Sequence, residues 1–250
     1  MQTFSKNHDE ITPWRAIGEF LNGIRAGNVP DGVILDDIGT TDPRIPPHGP
    51  APLFNVREKH IGDPVQLFPH TVKFDSAEAA ADPAVRRWLD MLERLRPFNV
   101  KGQIAGVHRY LSAVENFPAI ARVVRTLSWT GPVIRGHRDD DSADAALARY
   151  VSLRHLGIHT ERLRLVWLAD AASGSDWVVT AVLLDGRWLV LDHYHGDIAD
   201  DDAYVEAAPY FSLNAVKCCL HWRQVDRGGD RNGAEAALQR LAGQLGFSRA

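Results

Sequence analysis

The sequence predicts an α+β fold in which N-terminal helices pack on an antiparallel sheet. Three observations carry this expectation. Apolar residues recur at helical spacing from Ser76 to Gly157. After Gly157 the period changes to that of strands. Asp185-Gly186 then joins two of those strands with a dipeptide that favours tight hairpins. Helices first and a meander afterwards make an α+β domain.

The elements follow in order. Thr12 to Asn22 predicts a short helix, with Thr12 as cap, Pro13 in the first turn and Trp14, Ile17 and Leu21 on one face. Prolines then recur from Pro30 to Pro69, and Asp42-Pro-Arg-Ile-Pro-Pro-His-Gly-Pro-Ala-Pro52 excludes a helix or a central strand. Residues 30–70 therefore read as an irregular proline-rich arm over the domain, or a linker. This divides the chain into an N-terminal helix and arm, 1–75, and a main domain, 76–250.

Ala84 to Leu95 predicts a helix carrying Val85, Trp88, Leu89 and Leu92, stopped by Pro97. Gln103 to Glu115 repeats the pattern with Ile104, Val107, His108, Leu111 and Val114, and Ala119 to Leu127 gives a third helix. Ala143 to His155 is the fourth, capped by Asp141 or Ser142, ended by Gly157, with Ala146, Tyr150 and Leu153 as its buried stripe. Strands are expected at Arg162–Ala169, Trp177–Leu184, Arg187–Leu191 and Phe211–Trp222. An amphipathic helix from Asn232 to Phe247 closes the chain.

Composition bounds the function. The chain has 250 residues, 45% of them apolar, enough for a sizeable core. A net charge of −4 with no basic block or stacking repeat argues against nucleic acid. No apolar run approaches the ~18 residues of a membrane span. The first residues lack an apolar signal region, so the expected compartment is the cytoplasm, or the periplasm if a leader has been removed. The two cysteines, Cys218 and Cys219, are adjacent and read as small apolar strand residues rather than a disulfide framework.

The stretch Asp139-Asp-Asp-Ser-Ala-Asp-Ala-Ala-Leu-Ala-Arg-Tyr-Val-Ser-Leu-Arg-His-Leu-Gly157 resembles the nucleophile helix of the bacterial transglutaminase-like cysteine proteinases. There the pattern is close to Gly-Asp-Cys-Glu-Asp-x-Ala-x-Ala-Lys-Tyr-x-x-Leu-Arg-x-Leu-Gly. Ala146, Ala148, Arg149, Tyr150, Leu153, Arg154, Leu156 and Gly157 match it, Asp141 and Asp144 match its flanking acids, and the cysteine falls on Ser142. Trp129-Thr-Gly-Pro132 resembles the stretch before the nucleophile. The family's His-x-Val-Leu strand corresponds to Thr180-Ala-Val-Leu183, with Thr180 at the histidine. Its Leu-Val-Leu-Asp-Asn segment corresponds to Leu189-Val-Leu-Asp192-His193, which keeps the acid.

The resemblance implies a papain-like, transglutaminase-like domain over 76–250. Its catalytic positions would be Ser142, Thr180 and Asp192, with Trp129, Asp141 and Asp144 about the cleft. In such a site the helix N-terminus and an imidazole together lower the pKa of a thiol. Here both thiol and imidazole are replaced, which implies a non-catalytic module binding a protein or peptide in the old cleft. The alternative is a peptidase or amidase that uses Ser142 with His193, His195 or His137 as substitute base.

No cofactor is expected, and no metal. The acids Asp139, Asp140, Asp141 and Asp144 lack the alternating spacing of a calcium loop, and a helix N-terminus attracts acids unaided. Some family members hold calcium just before the nucleophile segment, where this chain has only Glu115 between residues 115 and 129. His193-Tyr-His195 has metal-like spacing but no third ligand in sequence. A shared ancestral site further requires Thr180 and Asp192 on one face of the sheet. A two-residue turn at Asp185-Gly186 would set them on opposite faces. A three-residue loop, Leu184-Asp185-Gly186, is therefore expected, pairing Leu183 with Arg187.

Overall fold

A computed structural model of the chain describes residues 52–62, 82–113, 117–128, 140–170, 175–222, 236, 237, 239 and 240. Among these residues four α-helices lie against a seven-stranded antiparallel sheet, so the fold is α+β. The predicted helix at 12–22, Trp129, His137 and most of the predicted C-terminal helix fall outside the described residues.

Helix α1 spans Pro83–Leu95. Asp82 caps it by accepting the Ala84 N–H at 2.8 Å, and the proline takes the first turn, where its missing N–H costs nothing. Its buried stripe is Ala84, Val85, Trp88 and Leu92. Helices α2, Val100–Ala113, and α3, Phe117–Ser128, bury Ile104, Val107 and Leu111, and Ile120 and Val124.

Helix α4, Asp140–His155, is the centre of the molecule. It packs on the sheet below and on α2 and α3. Residues 142–153 are all buried, so the helix shows no single stripe, contrary to its sequence pattern. Alanines at 143, 145, 146 and 148 let neighbours approach from several sides. Polar residues in this run find internal partners: Ser152 Oγ accepts the Trp88 indole N–H at 3.0 Å and donates to the Ala148 carbonyl at 2.7 Å. Gly157, at φ +95°, ends the helix, and N–H groups of Gly157 and Ile158 bond the Arg154 and Leu153 carbonyls. These are the paired bonds of a Schellman cap.

The strands are β1 (Arg57–Gly62), β2 (Leu163–Asp170), β3 (Asp176–Leu184), β4 (Arg187–Leu191), β5 (Ala199–Asp200), β6 (Ala207–Leu213) and β7 (Cys218–Trp222). Their order across the sheet is β1-β7-β6-β2-β3-β4-β5. Two expectations are corrected here. Residues 57–62, read as part of an irregular arm, form an edge strand with Glu58 opposite His221. Residues 211–222, read as one strand, are the ends of a hairpin turning at Asn214, whose Oδ1 accepts the N–H groups of Val216 and Lys217 at 2.9 Å each.

A third correction concerns register. Leu184 pairs directly with Arg187, and the ladder runs without a bulge to Thr180 opposite Leu191. The connection is a two-residue turn with Asp185 at φ 52° and Gly186 at φ 80°. Positive φ at both positions is the type I′ geometry, which suits the twist of the strands. The expected three-residue loop is absent, and so is the single face for Thr180 and Asp192.

Both faces of the sheet are covered. Val178, Val182 and Leu191 join the helical core, whereas Val166, Val179, Ala181, Trp188 and Val190 pack with Leu53, Phe54 and Val56 on the other side. That outer face also carries a polar network. Arg164 ion-pairs with Glu58, whose other oxygen accepts from Lys217 Nζ at 3.4 Å and Cys219 Sγ at 3.2 Å. His221 Nε2 lies 2.7 Å from Ser212 Oγ. Burial pushes the Cys219 thiol up to about 12, aided by the Glu58 charge, and drives the His221 imidazole down to about 4. Burial alone would raise Glu58, but the Arg164 hydrogen bond and surrounding positive charge outweigh it and hold the carboxyl at about 2.

Candidate active site

Ser142 is the third residue of α4 and is 3% exposed. It lies inside the first turn, not at the capping position. Its Oγ accepts the Val178 N–H at 3.4 Å, beyond the last β3–β4 pair. One helical turn on, Thr180 Oγ1 donates to the Ala146 carbonyl at 2.6 Å. The β3 residue against Ser142 is thus Val178, and Thr180 meets the next turn. Asp144 is buried in the same turn as Ser142, and Asp141 lies in the helix with its side chain outside the described residues.

Asp192 follows the end of β4 and is fully buried. Four donors converge on it. The Tyr194 N–H reaches Oδ1 at 2.9 Å; His195 Nδ1, the Trp177 indole N–H and the Tyr204 hydroxyl reach Oδ2 at 3.0, 3.3 and 3.3 Å. Trp177 and Tyr204 pack with the outer-face cluster, so this carboxylate and Thr180 sit on opposite sides of the sheet. Burial and the Asp192 charge together push the Tyr204 hydroxyl up, which keeps it a donor.

Beneath the loop that begins at Asp192 lies a second buried group. Arg149, 0% exposed, donates from Nε to His108 Nδ1 at 3.2 Å and from Nη2 to Ser112 Oγ at 2.9 Å. His108 Nε2 is 3.1 Å from the Gly196 carbonyl. Burial lowers the Arg149 guanidinium to about 10 against the pull of Asp192, and it remains charged at neutral pH. Burial, reinforced by the Arg149 charge, also lowers His108. Asp192 is the acid that compensates Arg149 electrostatically.

The two histidines after Asp192 part company. His195 bonds the carboxylate while 65% of its side chain stays exposed. His193 stacks on Phe117 with ring centroids 6.2 Å apart. No group of three or more His, Cys, Asp or Glu among the described residues is arranged to hold a metal ion. Sequence reasoning overlooked Trp177, Tyr204, His108 and the burial of Arg149. A cation set in the alanine-rich run of α4 was the available signal, because such a residue must either reach solvent or find an acid inside.

The arrangement has two chemical parts. Along α4, β3 offers Val178 and Thr180, neither able to accept a proton at neutral pH. At the end of β4, a carboxylate orients an exposed imidazole.

No family model matches the sequence, and no curated protein matches it. Solved structures do. Legionella pneumophila LapG matches at 15% identity over 66% of this chain and 91% of that one, with a TM-score of 0.43. Its calcium-bound form matches at 18% identity over 68% and 99%, with a TM-score of 0.46. The EGTA-treated form gives 18% identity, 66% and 91% coverage and a TM-score of 0.45.

Proposed function

We propose that this chain is a degenerate member of the transglutaminase-like cysteine proteinases that works as a non-catalytic binding or regulatory module. One observation carries the reading. The β3 side chains turned toward the first two turns of α4 are Val178 and Thr180, and the Thr180 hydroxyl is committed to the Ala146 carbonyl. A serine needs a general base more than a cysteine does, because its hydroxyl is far harder to ionise. Loss of members of such a unit costs about 10⁴ to 10⁶ in rate.

Peptide and ester substrates tested against the full chain should show no turnover. Turnover that disappears in Ser142→Ala would overturn the reading. A second reading, a peptidase or amidase with a substituted base, is favoured by the Asp192–His195 couple, whose Nδ1 side is held at 3.0 Å. A fluorophosphonate probe separates the two: covalent labelling at Ser142 supports the hydrolase.

A further inference from the structure

A hollow of about 340 Å³ lies at the hairpin end of the sheet, between α2, the β3–β4 turn and β5. Its floor is apolar: Ile104, Leu184, Leu189 and Ile198. Its rim is neutralised in pairs, Lys101 with Asp185 at 3.0 Å and Arg187 with Asp200 at 3.7 Å. Leu184 is six residues along β3 from Val178, roughly 20 Å at strand rise, so this hollow is separate from the Ser142 region.

The segment that contributes Ile198 and Asp200 to its lining is unusual in charge. Residues 192–206 contain six carboxylates and no lysine or arginine. Asp192 and Asp201 are spent internally, the latter on the Phe54 N–H, and Asp200 on Arg187. Asp197, Asp202 and Glu206 are exposed, and no ion pair to them is found among the described residues. Among the described residues the same segment holds two of the four exposed large hydrophobic side chains, Tyr194 at 53% and Val205 at 69%. It is also well anchored: His195 packs edge-on to Tyr204, Tyr204 to Phe54, and His108 ties Gly196.

We propose that this groove docks a basic amphipathic peptide segment. An aliphatic side chain fills the hollow, a volume suited to one or two such groups, and lysines or arginines lie along the exposed acids. Charge complementarity selects the partner. With the rim pairs neutral, the acids of residues 192–206 set the local field, which attracts cations and repels acidic segments. Tyr194 adds an exposed aromatic face over which a cation is stabilised. Because the loop is already tied to the fold, little ordering entropy opposes docking.

The test uses the full chain and fluorescein-labelled decapeptides followed by anisotropy. One alternates Lys with Leu, one Glu with Leu, one Lys with Ser. The Lys/Leu peptide should bind at least tenfold more tightly than either control, and more weakly as salt rises. Ile198→Ser, and separately the surface pair Asp197→Asn with Asp202→Asn, should each weaken it about tenfold or more. The second variant needs no core change, so it keeps the test valid if Ile198→Ser is poorly folded. Equal binding of the Glu/Leu peptide, no binding of the Lys/Leu peptide, or groove variants that bind like the parent, would each overturn the proposal. Binding lost instead in Ser142→Ala would also overturn it, and would assign the peptide to the region between α4 and the open end of β3.

Discussion

Ser142 and Asp192 engage adjacent residues of β3: Ser142 accepts the Val178 N–H, whereas Asp192 accepts the indole N–H of Trp177. Serine and carboxylate therefore lie close along the chain path of β3, at its end beyond the last pair with β4. An imidazole serving both would have to sit at the open end of β3, not at Thr180, whose hydroxyl is bonded one helical turn further in.

This relationship predicts the outcome of a rescue experiment. Ser142→Cys with Thr180→His should leave the thiol near its ordinary value, because the new ring would meet Ala146. Ser142→Cys with Val178→His should lower the thiol pKa by about one unit or more. The pH dependence of iodoacetamide alkylation measures both. Equal reactivity in the two double variants would show that the facing assigned to Val178 is wrong.

Asp192 should be a stability residue whatever else it does. Asp192→Ala strands four donors and leaves Arg149 buried without its compensating charge. The expected loss is about 3–5 kcal/mol, read from the urea midpoint. Asp192→Asn retains shape and part of the bonding and should lose less.

Acid should destabilise the protein in two windows. The His221 imidazole is held at about 4 by burial, against an ordinary 6.5, so the unfolded chain takes up the proton first as pH falls. Stability present above pH 6.5 is then lost progressively down to pH 4, on the order of 3 kcal/mol for this group. Glu58, held at about 2 against an ordinary 4.5, extends the loss from pH 4.5 down to 2. Denaturant titrations of His221→Gln should show a shallower slope between pH 6.5 and 4.5, with His108 supplying a remaining share. An unchanged slope would mean that His221 does not titrate as a buried neutral ring.

The thiols should be silent in the native protein. Cys218 and Cys219 are both buried, and Cys219 is pushed up to about 12 by burial and by Glu58. Ellman's reagent at pH 8 should find essentially no thiol in the folded chain and both of its two cysteines in denaturant. That silence also makes a cysteine introduced at Ser142 readable by itself.

The helices were legible because their stripes and stop signals are local: Pro97 after α1, Gly157 at the end of α4. The β3–β4 turn was legible too. Asp-Gly favours a two-residue connection, and the three-residue loop was expected only to bring Thr180 and Asp192 together. What could not be read locally was set by distant partners. Residues 57–62 become a strand only because β7 lies beside them, and no glycine or proline marks the turn that Asn214 builds from its own side chain. Of the candidate site, Ser142 and Asp192 could be picked out by pattern. Trp177 and Tyr204 could not, since their partners come from other elements, and the burial of Arg149 was signalled only by its place in the alanine-rich run of α4.

The pairing of β1 with β7 also sets a timetable. Glu58 and Cys219, bonded across that seam, are 161 residues apart in the chain. On a ribosome adding about 5–20 residues per second, β1 emerges roughly 10–30 s before its partner exists. The β3–β4 hairpin can close during that interval, whereas the far edge of the sheet must wait until β7 is made, which makes its assembly a slow event. A nascent strand left unpaired for so long is a hazard for intermolecular pairing. Arg57, Glu58, Lys59 and His60, four polar or charged residues in succession, keep this one soluble until its neighbour is made.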